Sequence, residues 1–207
     1  MIKFYHDVGI SARCGNILFL AFIPHCWYNR LKKGGANMEY METAYFAGGC
    51  FWCITPTFKE TNGVLDVVSG YSGGDEINPV YADVKHQRTG HRETIRINYR
   101  PNSVTFAELF EIYLNGVDPF DGDGQYIDRG HSYTLAVYYL SEAQRQIAET
   151  GIRNLEAETG QPVCISVEPF KSFYCAEEEH QDYYLKHPTE FRQELIDSGR
   201  ISAESKS

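Results

Sequence analysis

The sequence predicts an α+β fold, a two-layer sandwich of one sheet and its helices, from three observations. Four or five short segments have the apolar or alternating pattern of β-strands. Two long segments that follow helix-capping patterns are interleaved with them. A chain of 207 residues, 43% of them hydrophobic, is one domain by default and long enough to bury a real core. Strands and helices mixed in this way favour helices packed against a sheet.

The first half of the chain predicts three strands and one helix between clear breaks. Pro56 falls near the first turns of the helix, where a proline ring is tolerated. Asn62-Gly63 ends that helix, and the glycine-rich run 72–75 with Asn78-Pro79 marks a loop. The segment 93–99 alternates polar with apolar side chains, the period of a half-buried strand. The predicted elements are, in order, the strand 43–48, the helix 50–59, the strand 64–71 and the strand 93–99.

The second half predicts two capped helices around a further strand. Thr105 and Ser141 each begin the capping-box pattern, in which an acid or amide follows the hydroxyl residue three positions later. A glycine- and aspartate-rich loop, 118–130, precedes a run of β-branched and aromatic residues typical of a strand. The predicted elements are, in order, the helix 106–114, the strand 133–140, a helix that runs towards Glu158, the strand 163–167, and polar helical segments from Glu177 and from Thr189.

Composition and charge exclude several classes of protein. With 43% hydrophobic and 14% aromatic residues the chain is globular, neither disordered nor membrane-spanning. Its net charge of −9 argues against nucleic acid as a partner, since phosphates repel such a surface. Six cysteines without dense, regular spacing favour thiol chemistry in a reducing compartment over a disulfide framework. We therefore expect a cytoplasmic protein.

The N-terminal segment differs from the rest of the chain in charge. Residues 1–37 hold five basic residues against one acid, Asp7, and their apolar run 17–24 is too short to span a bilayer. Met38 and Met41 stand just before the motifs described below, so an upstream start is one explanation for the segment. We expect residues 1–40 to be an extension outside the fold, 41–200 a single catalytic domain, and 201–207 a flexible tail.

The hexapeptide Gly48-Gly49-Cys50-Phe51-Trp52-Cys53 is the centre of the predicted chemistry. It lies between the first strand and the first helix, where glycines permit a tight turn. A cysteine where a helix begins sits among unpaired N–H groups at the positive end of the dipole, which favours the reactive thiolate. This pattern predicts a nucleophilic Cys50 with an aromatic wall beside it.

Other interpretations of the two cysteines stay open on the residues alone. A cysteine in a globular chain is often a small buried hydrophobe, here in a binding module without turnover. A zinc site needs a second close pair, and Cys164 and Cys175 are eleven positions apart. A thioredoxin-like disulfide oxidoreductase using Cys50 and Cys53 is the alternative enzyme, although its intervening residues are usually small, unlike Phe51-Trp52.

Five motifs together resemble the peptide methionine sulfoxide reductase family of the A type. In chain order they are GCFWC at 49–53, GYSGG at 70–74, GHRE at 90–93, Asp128 with Tyr133, and EHQDYY at 179–184. The resemblance runs from about Thr43 to Pro188. It implies a ferredoxin-like α/β plait with long loops. It also implies thiol-dependent reduction of methionine-S-sulfoxide, free or in proteins, to methionine, as repair after oxidative damage.

The resemblance also assigns expected roles to individual residues. Reducing a sulfoxide needs a soft nucleophile, an acid and hydrogen-bond donors for the oxygen. Cys50 is the implied nucleophile and Glu93 the acid that protonates the sulfoxide oxygen, which requires a pKa raised by an apolar surround. Tyr81 and Tyr133 correspond to tyrosines whose hydroxyls hold the oxygen, and Asp128 to an aspartate near the substrate.

The substrate pocket is expected to be apolar on one side. Phe51 and Trp52 would line the space for the methyl group, and His180 would lie at the site because of the HQDYY run that surrounds it. Two departures from the family pattern affect the mouth of the pocket: the loop 121–129 has the sequence DGDGQYIDR, and Thr134 replaces an arginine usual after the tyrosine.

The expected product on Cys50 is a sulfenic acid, which a second cysteine resolves to a disulfide that thioredoxin or a small dithiol reduces. The tail 201–207 has no cysteine, whereas many relatives resolve from the C-terminus. Cys53, Cys175, Cys164 and an external thiol are the options, and the position of Cys175 just before the EHQDYY run favours it. No metal or organic cofactor is expected, because the electrons arrive through thiols.

Overall fold

The computed structural model describes residues 40–202, so most of the expected extension 1–40 and of the expected tail 201–207 lies outside the described residues. The strands are β1 (Glu42–Gly48), β2 (Val64–Ser72), β3 (Arg92–Tyr99), β4 (Gly124–Gln125), β5 (Asp128–Arg129), β6 (Leu135–Tyr139), β7 (Ile165–Pro169) and β8 (Phe173–Cys175). The α-helices are α1 (Phe51–Lys59), α2 (Tyr81–Lys85), α3 (Phe106–Gly116), α4 (Glu142–Thr159), α5 (Tyr183–Lys186) and α6 (Pro188–Asp197).

Six of the strands form one mostly antiparallel sheet. Its order is β7-β6-β1-β3-β2-β8, and only the β6–β7 pair is parallel. The strands β4 and β5 form a separate two-stranded hairpin. The predicted α+β class is therefore confirmed: a mostly antiparallel sheet is combined with helices.

The central strand β1 is buried on both faces of this sheet. Phe46 points into the main core, where its ring stacks on Tyr113 of α3 at 4.9 Å between centroids. Tyr45, the residue before Phe46, belongs to a second cluster on the other face of the sheet. Its ring stacks on Phe170 at 4.3 Å between centroids. This alternation is the period of two that a strand requires. It anchors β1 firmly, and the reactive hexapeptide follows directly at its end.

Most predicted elements agree with the structure to within one to three residues. The Thr105 capping box is complete: the Thr105 hydroxyl accepts from Glu108 N at 3.2 Å, and the Glu108 carboxylate accepts from Thr105 N at 2.7 Å. The Ser141 box is only half formed. Ser141 accepts from Gln144 N at 3.3 Å, but the Gln144 amide instead bonds Leu140 N and Thr43 O.

Three elements were not expected from the sequence. They are the short helix α2, the edge strand β8, and the β4–β5 hairpin inside the predicted loop 118–130. The strand predicted at 133–140 begins two residues later, because His131–Tyr133 forms a 3-10 helix. The helical segment predicted from Glu177 is divided into the 3-10 helix Glu178–His180 and α5. Each of these differences lies next to the site described below.

The edge strand β8 depends on the absence of a side chain at Gly70. A Cβ there would lie 2.3 Å from Tyr174 O and 2.4 Å from the Phe173 ring, and the carbonyl oxygen belongs to the backbone of β8. We expect Gly70→Ala to lower the free energy of unfolding by about 1–3 kcal/mol, measured by urea denaturation. The matched control is Gly116→Ala at the end of α3, which meets nothing within 4 Å and should be neutral or slightly stabilising. Equal stability of both variants would contradict this account of β8.

Candidate active site

Cys50 lies at the junction of β1 and α1, as its N-cap residue. It is 7% exposed, with φ −58° and ψ 118°. The turn before it requires Gly49, which has φ +77° and whose Cβ would lie 2.6 Å from Gln125 Cβ. Cys50 therefore lies where α1 begins, although its side chain makes no capping hydrogen bond.

Glu93 of β3 is bound to the same helix N-terminus. Its Oε2 accepts a hydrogen bond from Phe51 N at 3.0 Å, and the side chain is 1% exposed. Burial raises the pKa of the Glu93 carboxyl to about 8, while the bond from Phe51 N opposes the shift and the nearby Asp128 adds to it. At neutral pH the carboxyl is mostly protonated, so it can donate a proton beside Cys50.

The thiols of Cys50 and Cys53 interact with each other across the first turn of α1. Cys53 N also donates to Cys50 O at 3.0 Å. The hydrogen bond with Cys53 raises the pKa of the Cys50 thiol, and burial and the Glu93 and Asp128 carboxyls raise it further. These effects favour the thiol form of Cys50, whereas its position at the helix N-terminus favours the thiolate.

An aromatic cluster covers one side of Cys50. Trp52 stacks on Tyr183 at 3.8 Å between centroids, and the His180 ring lies 4.0 Å from the Tyr81 ring and 5.6 Å from Trp52. Phe51 is fully buried beneath them, 6.3 Å from Tyr81. Burial lowers the pKa of His180, which keeps its imidazole neutral. These rings form an apolar wall of the kind that accepts a methyl group.

The polar side of the site consists of Tyr81, Tyr133 and Asp128. Burial raises the pKa of both tyrosines, and the nearby Glu93 raises it further, so both hydroxyls keep their protons. Burial likewise raises the pKa of Asp128, while Arg200 and Lys85 lower it. The pKa values of both tyrosines are also raised by the charges of Asp128 and Cys50, so these groups interact electrostatically. The structure thus brings the eight expected catalytic and substrate-binding residues together.

Glu177 positions one of these tyrosines and was not singled out from the sequence. Its carboxylate accepts from the Tyr71 hydroxyl at 2.7 Å and from Tyr81 N at 2.8 Å. Gln181 holds the same segment to β2, with bonds of 2.9–3.0 Å to both backbone groups of Ser69. The sequence shows a run of glutamates before His180, but no local pattern distinguishes Glu177 from the other glutamates of that run.

Cys164 and Cys175, the other two cysteines within residues 40–202, lie in separate places. Cys175 is on β8 opposite Gly70 and is disulfide-bonded. Cys164 is a free thiol whose Sγ donates to Phe120 O at 3.4 Å. Within residues 40–202, no group of three or more His, Cys, Asp or Glu side chains is arranged to hold a metal ion. No helix in the described part of the chain is long and apolar enough to cross a membrane.

Comparison with known proteins identifies the family of this chain. The family model of peptide methionine sulfoxide reductase matches residues 42–207. The peptide methionine sulfoxide reductase MsrA of Bacillus licheniformis is 44% identical over 165 residues, which are 78% of this chain and 91% of that protein. The MsrA of Picrophilus torridus is 44% identical over 148 residues, 71% of this chain and 84% of that one.

Solved structures show the same similarity. Methionine sulfoxide reductase A of Corynebacterium diphtheriae superposes with a TM-score of 0.67 at 32% identity, over 74% of this chain and 77% of that one. Mxr1 from Saccharomyces cerevisiae in its reduced form gives a TM-score of 0.70 at 25% identity, over 76% and 92% of the two chains. The chain therefore belongs to the peptide methionine sulfoxide reductase family and is an oxidoreductase that reduces methionine sulfoxide, a peptide-methionine (S)-S-oxide reductase.

Proposed function

We propose that Cys50 is the nucleophile and Glu93 the acid of this reduction. The Cys50 sulfur attacks the sulfoxide sulfur while Glu93 donates its proton to the oxygen, and the proton of the Cys50 thiol returns Glu93 to its neutral form. The S–O bond of the substrate breaks, methionine leaves, and Cys50 keeps the oxygen as a sulfenic acid. The single observation that carries this proposal is the buried Glu93 carboxyl, bonded to Phe51 N and still protonated at neutral pH.

The two sides of the pocket divide substrate recognition between them. The rings of Phe51, Trp52 and His180 take the methyl group, and the hydroxyls of Tyr81 and Tyr133 donate to the sulfoxide oxygen. The oxygen becomes more negative as the S–O bond breaks, so these donors stabilise the transition state more than the bound substrate. The carboxyl of Asp128 is the third polar group on this side of the substrate pocket. Either free methionine sulfoxide or an oxidised protein side chain presents this methyl sulfoxide.

Cys53 is the resolving cysteine that the geometry supports. It already shares a hydrogen bond with Cys50 and has a free thiol, whereas Cys175, which the sequence favours, is disulfide-bonded. The Cys53 sulfur attacks the sulfenic acid, a disulfide forms, and the oxygen leaves as water. Two electrons from an external dithiol, thioredoxin or a small reagent, then restore both thiols. No metal or organic cofactor takes part.

Three further proposals concern the fold, the cellular location and the domain boundaries. The order β6-β1-β3-β2, with α1 and α3 as the connections, is that of a ferredoxin-like plait, extended by β7 and β8. Within residues 40–202, Cys50, Cys53 and Cys164 are free thiols while Cys175 is disulfide-bonded, and the three free thiols are suited to the reducing cytoplasm. The residues 41–200 are proposed as one catalytic domain, and the family match that begins at residue 42 supports this boundary.

Removing the two hydroxyls tests the proposed site. We expect Tyr81→Phe and Tyr133→Phe each to lower kcat/KM for a methyl sulfoxide by about 10- to 100-fold, because each removes one donor to the oxygen. The double variant should lose more than either single one. Tyr40→Phe, on a side chain that is 68% exposed, is the matched control and should keep full activity. Full activity in the double variant would rule out the proposed oxygen site.

A further inference from the structure

Cys53 faces a second opening, away from the sulfoxide pocket. It lines a cleft of about 230 Å³ together with Ile112 of α3, Tyr126 of the β4–β5 turn, and Leu195 and Arg200 at the end of α6. Cys50 and the rings of Phe51, Trp52, Tyr81 and His180 do not line this cleft. Cys53 is half-buried, whereas Cys50 is buried. The first turn of α1 therefore presents its two sulfurs to two different spaces.

Arg200 is held at the rim of this cleft by the end of its helix. Gly199 has φ +74°, Gly199 N donates to Ile196 O, and Arg200 N donates to Leu195 O, both at 2.9 Å. This is the Schellman pattern that reverses the chain after a helix. It turns the guanidinium back over the ring of Tyr126, 4.0 Å from the centroid.

The guanidinium has unused donors beside Cys53. Within residues 40–202, Arg200 Nε and Nη2 are buried without a hydrogen-bond partner. The hydrogen bond with Cys50 lowers the pKa of Cys53, and the charge of Arg200 lowers it further, while burial and the carboxyls of Asp128 and Glu194 oppose this. A half-buried cation with free N–H groups next to a thiol is the environment that stabilises a thiolate.

We propose that this cleft is the entrance for the external thiol reductant, which attacks the Cys53 sulfur of the Cys50–Cys53 disulfide. Arg200 is the positioning residue, because its guanidinium holds the sulfur anions that form in this step. The inference rests on the proposed function, in which Cys53 resolves the sulfenic acid on Cys50. The attacking thiolate forms a bond to Cys53 Sγ, the S–S bond breaks, and Cys50 leaves with the electron pair. Glu93, protonated at neutral pH and bound beside Cys50, supplies the proton for that leaving sulfur.

The second half of the exchange uses the same opening. The other thiol of the reductant attacks the mixed disulfide at the reductant's own sulfur, so the reductant leaves as a disulfide and Cys53 as a thiolate facing Arg200. Attack at Cys50 would require an incoming chain to pass the aromatic wall of the substrate pocket. Attack at Cys53 leaves that pocket undisturbed, so the two half-reactions use separate entrances.

Covalent trapping tests which sulfur is attacked. The oxidised protein, in a Cys164→Ser background, is mixed with a thioredoxin variant that keeps only its attacking cysteine, and the mixed disulfide is located by peptide fragmentation in a mass spectrometer. We expect the bond on Cys53. In parallel, Cys50→Ser and Cys53→Ser proteins react with an aromatic disulfide, and the lone Cys53 should react about 10-fold faster than the lone Cys50. A mixed disulfide on Cys50 would overturn the proposal.

Variants of Arg200 separate recycling from sulfoxide reduction. Arg200→Ala should slow the reaction of Cys53 with the aromatic disulfide about 10-fold and move its pH profile upward by about one unit, while Arg200→Lys restores most of the rate. Arg153→Ala, on an exposed side chain of α4, is the control. Because Arg200 also interacts with Asp128, methionine release in a single turnover without reductant should be slowed less by Arg200→Ala than recycling is. If Arg200→Ala slowed methionine release in a single turnover as much as it slows recycling, Arg200 would act on sulfoxide reduction instead.

The same measurements distinguish this inference from the proposed function. If the wild-type protein releases no methionine in a single turnover, the proposed chemistry of Cys50 fails. If it releases one equivalent but the mixed disulfide maps to Cys50, only the second entrance fails.

Discussion

Replacing Glu93 with glutamine is expected to lower kcat/KM by about 10²- to 10⁴-fold, the range of a lost general acid. The glutamine keeps an acceptor for Phe51 N, whose bond to Glu93 is 3.0 Å long, so the N-terminus of α1 stays in place. It lacks the proton that the sulfoxide oxygen needs. In the wild-type protein kcat/KM should fall as the pH rises through about 8, where Glu93 ionises, and this fall should be absent in Glu93→Gln.

The same substitution should stabilise the protein at high pH. Glu93 has a pKa of about 8 when folded, against an ordinary value of 4.5, so the folded state holds a proton that the unfolded chain releases. The stability from this group is complete below about 4.5 and is lost as the pH rises through about 8. Glutamine does not titrate, so its advantage over glutamate grows across that window, on the order of a few kcal/mol at most.

Thermal unfolding at several pH values, beside initial rates, measures both effects. Glu168→Gln, on a half-exposed carboxylate that pairs with Arg92, is the control and should affect catalysis little. A Glu93→Gln protein that is as active as wild type would remove Glu93 from the mechanism. A variant that is inactive yet loses stability with pH as the wild type does would show that another group titrates.

Cys50→Ser is expected to abolish turnover, by at least about 10⁴-fold, because a serine hydroxyl is not a nucleophile towards sulfoxide sulfur without strong activation. The side chain is small and its replacement keeps the hydrogen-bonding capacity at the N-cap, so folding should be retained. Reduction of a methyl sulfoxide by dithiothreitol measures the loss. Cys164→Ser, outside the site, is the matched control and should stay active.

The reaction with one equivalent of sulfoxide gives a finer test of the same residue. Wild-type protein should lose two thiols and form the Cys50–Cys53 disulfide, whereas Cys53→Ser should keep a sulfenic acid on Cys50 that a dimedone probe labels. A disulfide that still forms in Cys53→Ser would restore Cys175 or Cys164 as the resolving residue. Turnover in Cys50→Ser would remove the nucleophile from position 50 altogether.

Local sequence signals predicted the regular elements and the place of Cys50 between β1 and α1. Alternation and capping patterns are determined by neighbours in the chain, so β1, β3 and α3 were placed to within one or two residues. The glycine turn before Cys50 has the expected positive φ at Gly49. The expected site residues came from the resemblance, since a single acid such as Glu93 has no local mark that separates it from other acids.

What the sequence did not predict depends on contacts between distant segments. The strand β8 has only three residues and is defined by its pairing with β2, about a hundred positions away. The pKa of the Cys50 thiol is raised by its neighbour Cys53 and by burial, and then further by Glu93 and Asp128, which belong to β3 and β5. The inward direction of Glu177 follows from the hydroxyl of Tyr71, and no periodicity within the glutamate run encodes it.

The double hydrogen bond of Glu177, to the Tyr71 hydroxyl and to Tyr81 N, has a consequence for synthesis on the ribosome. Cys50 is synthesised first, and the segment that carries Glu177 follows more than a hundred residues later. A nascent chain that ends before that segment carries Cys50 without His180 or Tyr183. The ring cluster beside Cys50 is therefore completed only after this later segment has been synthesised.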